Sequence, residues 1–327
     1  MDAIEEEKGE ERQLDWDKLL PYYQLAIVKQ LDLRSRCNFE RCSKSCQSLI
    51  KQTSCSIDSI VIQYDYYGRP TIFQTTQGDD VIQNALFDLS DEVLRILNKM
   101  EIPNQTIRNY VADILEKHSI GLVLDIKNIH IDAKDLNDLT PLEKFSFEKC
   151  QHLGLGLPNS EITKKFIRKT APGTSILIKG VEEETKLEGY GDMEEMRKAV
   201  SVCILQKNDI NNQQFMDMEG IDLYLRESDI DDDGICGYIQ RYSEIYEGSM
   251  FKKFHLDNRE LFDEKRILKG LEKIGWKDVQ VESGIKKYAI GSPTFGILYI
   301  DHCALWFEST GPCSTYDRFA QCLCQIM

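Results

Sequence analysis

Val200-Ser201-Val202-Cys203-Ile204 is a short apolar run rich in β-branched residues, and Asn208-Asp209-Ile210-Asn211 follows it as a polar turn. A run of this length and composition suits a buried strand. Asn and Asp side chains accept from the unpaired N–H groups at a helix start. Together the two segments predict a strand, a tight turn and a helix.

The same text recurs on both sides. Apolar runs stand at Gly121-Leu122-Val123-Leu124, Phe145-Ser146-Phe147, Ser175-Ile176-Leu177-Ile178, Ile221-Asp222-Leu223-Tyr224-Leu225 and Phe254-His255-Leu256. Helix starts are expected at Ser160-Glu161-Ile162 and at Ser228-Asp229-Ile230-Asp231. Units of roughly twenty to thirty residues, each one strand and one helix, predict an α/β fold of irregular strand–helix repeats resembling a leucine-rich-repeat array. A compact α/β domain without true repeats is the alternative. Ahead of the repeats, Ile57 to Tyr66 and Thr71-Ile72-Phe73 flank a turn at Gly68-Arg69-Pro70 and predict a hairpin. Residues 91–118 read as helices broken near Ile102-Pro103, and residues 285–307 read as closing strands.

The N-terminal region differs. Residues 1–13 are mainly charged and are expected to form a disordered acidic leader. From Trp16 onward the apolar residues fall at helical spacing. Pro21 suits a first helical turn, Leu20, Ile27 and Leu31 are spaced to share a face, and Cys37, Phe39, Cys42, Cys46, Leu49 and Ile50 continue the pattern. About forty residues of helix make a marginal core alone, so a supporting partner is expected.

Trp16-x-x-Leu19-Leu20-Pro21, Ile27-Val28-x-x-Leu31-Asp32 and Arg36-x-x-x-x-Arg41-Cys42-Ser43-Lys44 with Leu49 resemble an F-box, in the variant of the large nematode-expanded set of F-box proteins. Tyr22-Tyr23 departs from the acidic residue common after the proline, and Cys46 stands where many F-boxes carry Trp. The resemblance implies an F-box over residues 14–55. Leu20, Pro21, Ile27, Val28, Leu31, Phe39, Cys42 and Leu49 would pack the module or dock on the adaptor subunit of an SCF-type cullin-RING ubiquitin ligase. Residues 56–327 would be a substrate-binding domain similar to the family's C-terminal FTH region, with an unknown protein substrate. The implied role is a non-catalytic substrate receptor, acting in the cytoplasm or nucleus. A protein-interaction scaffold outside the ligase and an unrecognised enzyme are the alternatives.

Charge and composition narrow the other classes. A net charge of −15 across 327 residues disfavours nucleic acid and anionic lipid as partners. The eleven cysteines, with no basic start and apolar run of a signal peptide, are expected as free thiols of a reducing compartment. In that setting the Asn104-Gln105-Thr106 sequon carries little weight.

Asp229-Ile230-Asp231-Asp232-Asp233-Gly234 spells the opening of a calcium loop, but Gln240 replaces the bidentate Glu at its twelfth position, so a capped acidic turn is expected. His302, Cys303, Cys313, Cys322 and Cys324 do not follow zinc spacing. Gly154-Leu155-Gly156 lacks a third glycine, the five histidines adjoin no nucleophile motif, and neither a cofactor nor a metal is expected. Cys324-Gln325-Ile326-Met327 fits a prenylation sequence, which would bring Cys324 to a membrane.

Overall fold

The computed structural model describes residues 15–31, 33–53, 57–64, 70–77, 80–88, 93–96, 100–103, 126–132, 144–157, 159–179, 186–245, 252–258, 262–282, 285–301 and 304–310. The acidic leader and Gly121–Leu124 lie outside them, as do His302, Cys303, Cys313, Cys322 and Cys324.

Three helices open the chain: α1 (Pro21–Gln30), α2 (Leu33–Glu40) and α3 (Lys44–Lys51). Pro21 fills the first turn of α1, where its missing N–H costs nothing. The stretch from Cys37 to Ile50 is not one continuous helix, because Ser43 turns to the extended region and its hydroxyl accepts from the Cys46 N–H at 3.1 Å, starting α3 afresh.

An antiparallel meander follows: β1 (Ile57–Tyr64), β2 (Pro70–Gln77), β3 (Asp80–Asp88), β4 (Val93–Ile96) and β5 (Met100–Pro103). The hairpin expected at 57–73 is present. Residues 93–103 correct the helical expectation, since Val93–Ile96 and Met100–Pro103 pair as neighbouring strands. A four-residue run is too short to display a helical period, and pairing with β3 decides it.

Strands and helices then alternate: β6 (Ile126–Asp132), β7 (His152–Gly156), α4 (Ser160–Ile167), β8 (Ser175–Ile178), α5 (Glu194–Arg197), β9 (Ser201–Ile204), α6 (Asn212–Met216), β10 (Asp222–Arg226), α7 (Asp232–Ile245), β11 (Lys253–Asp257) and α8 (Glu264–Gly270). The chain closes with β12 (Trp276–Glu282), β13 (Ile285–Ile290), β14 (Gly296–Ile300) and β15 (Ala304–Ser309).

All described strands form one sheet of order β12-β13-β14-β15-β11-β10-β9-β8-β7-β6-β1-β2-β3-β4-β5. Its centre, β1 and β6 to β11, is parallel and laid down in chain order. The fold is mixed α/β, with antiparallel strands at both edges of this centre.

Two side-chain columns run across the parallel strands. Ile129, Leu153, Ile176, Val202, Leu223 and Phe254 pair in register and extend to Phe307 of β15. Ile131, Leu155, Ile178, Ile204, Leu225 and Leu256 form the second and extend to Leu305. Every member is buried. Burial of each is worth about 1.5–3 kcal/mol, so these columns are the main cohesive element of the sheet. The helices cover this face: Phe215 of α6 stacks on Tyr238 of α7 with centroids 4.4 Å apart, and both meet Phe254 edge-on.

Two buried asparagines, Asn208 and Asn258, bind their turns to the neighbouring ones. Asn208 is fully buried and donates to the Arg226 carbonyl at 2.9 Å, while its own carbonyl oxygen accepts from the Ile210 N–H. Asn211, rather than Asn208, caps α6, in a reciprocal capping box with Gln214. Likewise Asn159 caps α4 in place of the expected Ser160, accepting from the Glu161 and Ile162 N–H groups. Phe147 makes an isolated parallel bridge to Thr170, and Phe145 and Phe147 are buried, the latter stacked on Phe166 of α4 at 5.6 Å. Among the described residues no helix is long and apolar enough to cross a membrane.

Candidate functional site

Two surfaces stand out, one on the helices and one on the sheet. In the helical module Val28, Leu49 and Ile50 form a small core with Trp16, Leu25, Leu31 and Phe39 packed against it. Trp16 meets Phe39 edge-on at 5.1 Å. The guanidinium of Arg36 is buried inside, donating to the carbonyls of Val28 at 3.0 Å, Ile50 at 3.3 Å and Thr53, and to the Thr53 hydroxyl at 2.8 Å. It clamps the ends of α1 and α3 together. A fixed planar fork suits this better than a lysine ammonium.

With the core closed this way, large apolar side chains remain outside. Leu20 is 60% exposed, Tyr22 57%, Tyr23 48% and Ile27 38%. They lie at the start and on one flank of α1, and the two tyrosine rings rest on each other at 3.9 Å. A module with so small a core leaves this much apolar surface in water only at a cost that a partner would remove. Of the eight residues singled out in the sequence, Leu20, Pro21, Ile27 and Cys42 are exposed, Leu31 and Phe39 are half-buried, and Val28 and Leu49 are buried. Val28 and Leu49 therefore hold the module together and do not themselves offer surface. Tyr22 and Tyr23 extend the patch; the sequence reading noted them only as a departure from a motif.

The second surface is the sheet face turned away from the helices. Because side chains alternate along a strand, the residues between the buried columns face the other way. In register across the sheet these are Cys203, Tyr224, His255, Trp306 and Tyr299. The rings form a continuous stack: Tyr224 to His255 at 4.8 Å, His255 to Trp306 at 5.7 Å, and Trp306 to Tyr299 at 4.9 Å with only 8° between planes. Lys287 lies over the Tyr299 ring at 5.6 Å and ends the row.

Charged residues border the stack. Asp222 pairs with Lys253 at 3.2 Å, and Lys253 neighbours Glu308 across the strands. On the other border Arg226 stands opposite Asp257. Burial pushes the Tyr224 phenol up to about 12, with Asp257 reinforcing it, and burial holds the His255 pKa below its ordinary value. Both rings are therefore neutral at pH 7. Farther along the same row His130 lies across Gly154, where an added Cβ would come within 2.5 Å of the ring nitrogen. That contact explains a glycine in mid-strand.

A neutral aromatic strip edged by charges of both signs offers flat stacking area and peripheral hydrogen bonding. This chemistry suits an extended polypeptide. No sequence motif announced it, because its members lie far apart in the chain and only the strand register assembles them.

The remaining candidates resolve as follows. Asp231 caps α7, accepting from the Asp233 and Gly234 N–H groups at 2.9 and 3.2 Å and from the Asn212 amide at 2.7 Å. Asp229 pairs with Lys186 at 2.6 Å and Asp233 with Arg266, so the acidic run is the expected capped turn. Among the described residues no group of three or more His, Cys, Asp and Glu side chains is placed to hold a metal ion. Cys42, Cys46, Cys150 and Cys236 are free thiols. Burial pushes the Cys150 thiol up to about 12 and that of Cys236 up to about 11. Cys324, the prenylation candidate, lies outside the described residues. Comparison of the chain with protein-family models, with curated proteins and with solved structures finds no match.

Proposed function

We propose that this chain is the substrate-recognition subunit of an SCF-type cullin-RING ubiquitin ligase, with an F-box at residues 14–55 and a leucine-rich-repeat-like substrate domain behind it. The observation that carries the reading is the exposed patch of Leu20, Tyr22, Tyr23 and Ile27 on a module whose core residues are otherwise accounted for. Leu20, Pro21 and Ile27 belong to the segments that resemble an F-box, and all three are exposed on or beside α1. The repeat-like part of the reading is supported by the parallel strands, whose buried columns recur every 21 to 31 residues.

In this role the chain contributes proximity and orientation, and the recruited conjugating enzyme supplies the chemistry. The adaptor covers the α1 patch. A protein substrate lies along the strip from Cys203 to Tyr299. Co-expression of the full chain with the adaptor subunit, followed by affinity capture, tests the proposal. Recovery of a stoichiometric complex is expected. Absence of a complex with folded protein would leave the module as a scaffold element.

A further inference from the structure

A cavity of about 270 Å³ lies on the helix side of the sheet, away from both surfaces described above. Its walls come from the end of α6, the C-terminal half of α7 and the residues just before β10 and β11. The volume is slightly below the usual range for drug-sized ligands, so an occupant would be a smaller molecule.

The lining is unusual for a packing defect. Lys252 is only 7% exposed, and the one acceptor for its ammonium among the described residues is the Glu219 carbonyl at 3.1 Å. Tyr238 is 4% exposed, and its hydroxyl has no hydrogen-bond partner among the described residues. A buried hydroxyl left without a partner is destabilising, as is a buried charge held by a single neutral acceptor. Arg241 stands at the mouth, half-exposed, donating to the Met216 carbonyl and reaching the Asp217 carboxylate at 3.5 Å. Met216 and Ile245 supply apolar wall.

Electrostatics agrees with this geometry. Burial, followed by the nearby positive charge of Arg241, holds the Lys252 pKa below the ordinary lysine value, and Glu219 offsets this in part. A bound anion would oppose both effects by favouring the charged lysine. A dianion such as phosphate is disfavoured, because Asp217 already draws on Arg241 and the Glu219 carboxylate adjoins the site. A monoanion with an apolar body matches one buried ammonium, one unpartnered hydroxyl and an aliphatic wall.

We infer that this cavity is a binding site for a small monocarboxylate, whose oxygens accept from Lys252 Nζ and the Tyr238 hydroxyl while its apolar body lies against Met216 and Ile245. The site is independent of adaptor docking. The carboxylate belongs to a free small molecule or to the end of a peptide chain, and the same chemistry serves both.

Calorimetric titration of the full chain tests the assignment, with hexanoate, N-acetyl-leucine, an acetylated tripeptide ending in leucine, inorganic phosphate, and hexanamide as the uncharged analogue. Binding of at least one carboxylate at millimolar concentration or below is expected, with hexanamide at least tenfold weaker. The order of affinity between hexanoate, acetyl-leucine and the tripeptide identifies the source. Lys252→Met should abolish binding. Tyr238→Phe, which removes a hydroxyl without a protein partner and so leaves the fold intact, should weaken it about tenfold. No heat with any carboxylate, equal binding of hexanamide, or preference for phosphate would overturn the assignment, as would unchanged affinity in Tyr238→Phe.

Discussion

Replacing Arg36 by methionine should loosen the helical module and leave the sheet intact. Methionine keeps the apolar stem and removes the fork that reaches Val28, Ile50 and Thr53. Hydrogen bonds to a charged group are worth about 1.5–3 kcal/mol each, but the losses here are not additive. The Val28 and Ile50 carbonyls keep second donors, the N–H groups of Leu31 and Thr53 at 3.2 and 3.1 Å. A net loss of about 3 kcal/mol is therefore expected, near the lower end for breaking a buried charged network. Three buried side chains hold this core, so the loss is comparable with the whole stability of such a module. Amide hydrogen exchange resolves it. Amides of α1 and α3 should lose about a hundredfold of protection. Those of β8 to β11 should change little, because the parallel columns do not involve Arg36. Arg36→Lys should fall between. Protection in α1 and α3 within threefold of the wild type would refute the clamp.

Further outcomes follow from the same contacts. Phe254→Ala removes a ring that meets Phe215, Tyr238 and Phe307, and should cost about 3–5 kcal/mol in the denaturant transition of the sheet domain. Leu49→Ala, at a position 7% exposed, should cost about 2–5 kcal/mol and act on the helical module, seen as early proteolysis within residues 15–53. Asn211→Ala breaks the capping box and should lower stability by about 1 kcal/mol, measured by urea denaturation. For pH, burial lowers the His255 pKa, so the unfolded chain binds protons that the folded chain refuses. Stability from this residue is complete above the unfolded value of about 6.5 and declines as pH falls below it. His255→Phe should keep the stack and flatten part of that decline in urea midpoints taken from pH 7 to 5.

What the chain text reveals depends on how local the deciding interaction is. Val200–Ile204 and Ser175–Ile178 are legible as strands because apolar residues, several of them β-branched, fill most of four or five consecutive positions. Ile126–Asp132 and His152–Gly156 carry polar residues or glycine at every second place. They become strands through pairing with neighbours, and the polar half of each faces away from the helices. Val93–Pro103 misled the helical reading for the same reason, since partner strands and not local period decide it. At the sites, Leu20, Pro21 and Ile27 are legible from motif spacing. The row from Tyr224 to Tyr299 and the cavity around Lys252 are not, because strand register assembles the first from three separate stretches of chain and helix packing assembles the second from residues between Met216 and Lys252.

The central claim is that the α1 patch docks the ligase adaptor, and one titration addresses it most directly. The purified full chain and its Leu20→Ala/Ile27→Ala variant would be titrated with the adaptor subunit, with thermal melting of each recorded alongside. Both side chains are substantially exposed, so melting should be unchanged. Deletion of their methylenes from an interface, at about 0.8 kcal/mol for each one buried, should weaken binding at least tenfold. Wild-type protein that melts cooperatively yet fails to bind, or a variant that binds with undiminished affinity, would contradict the claim.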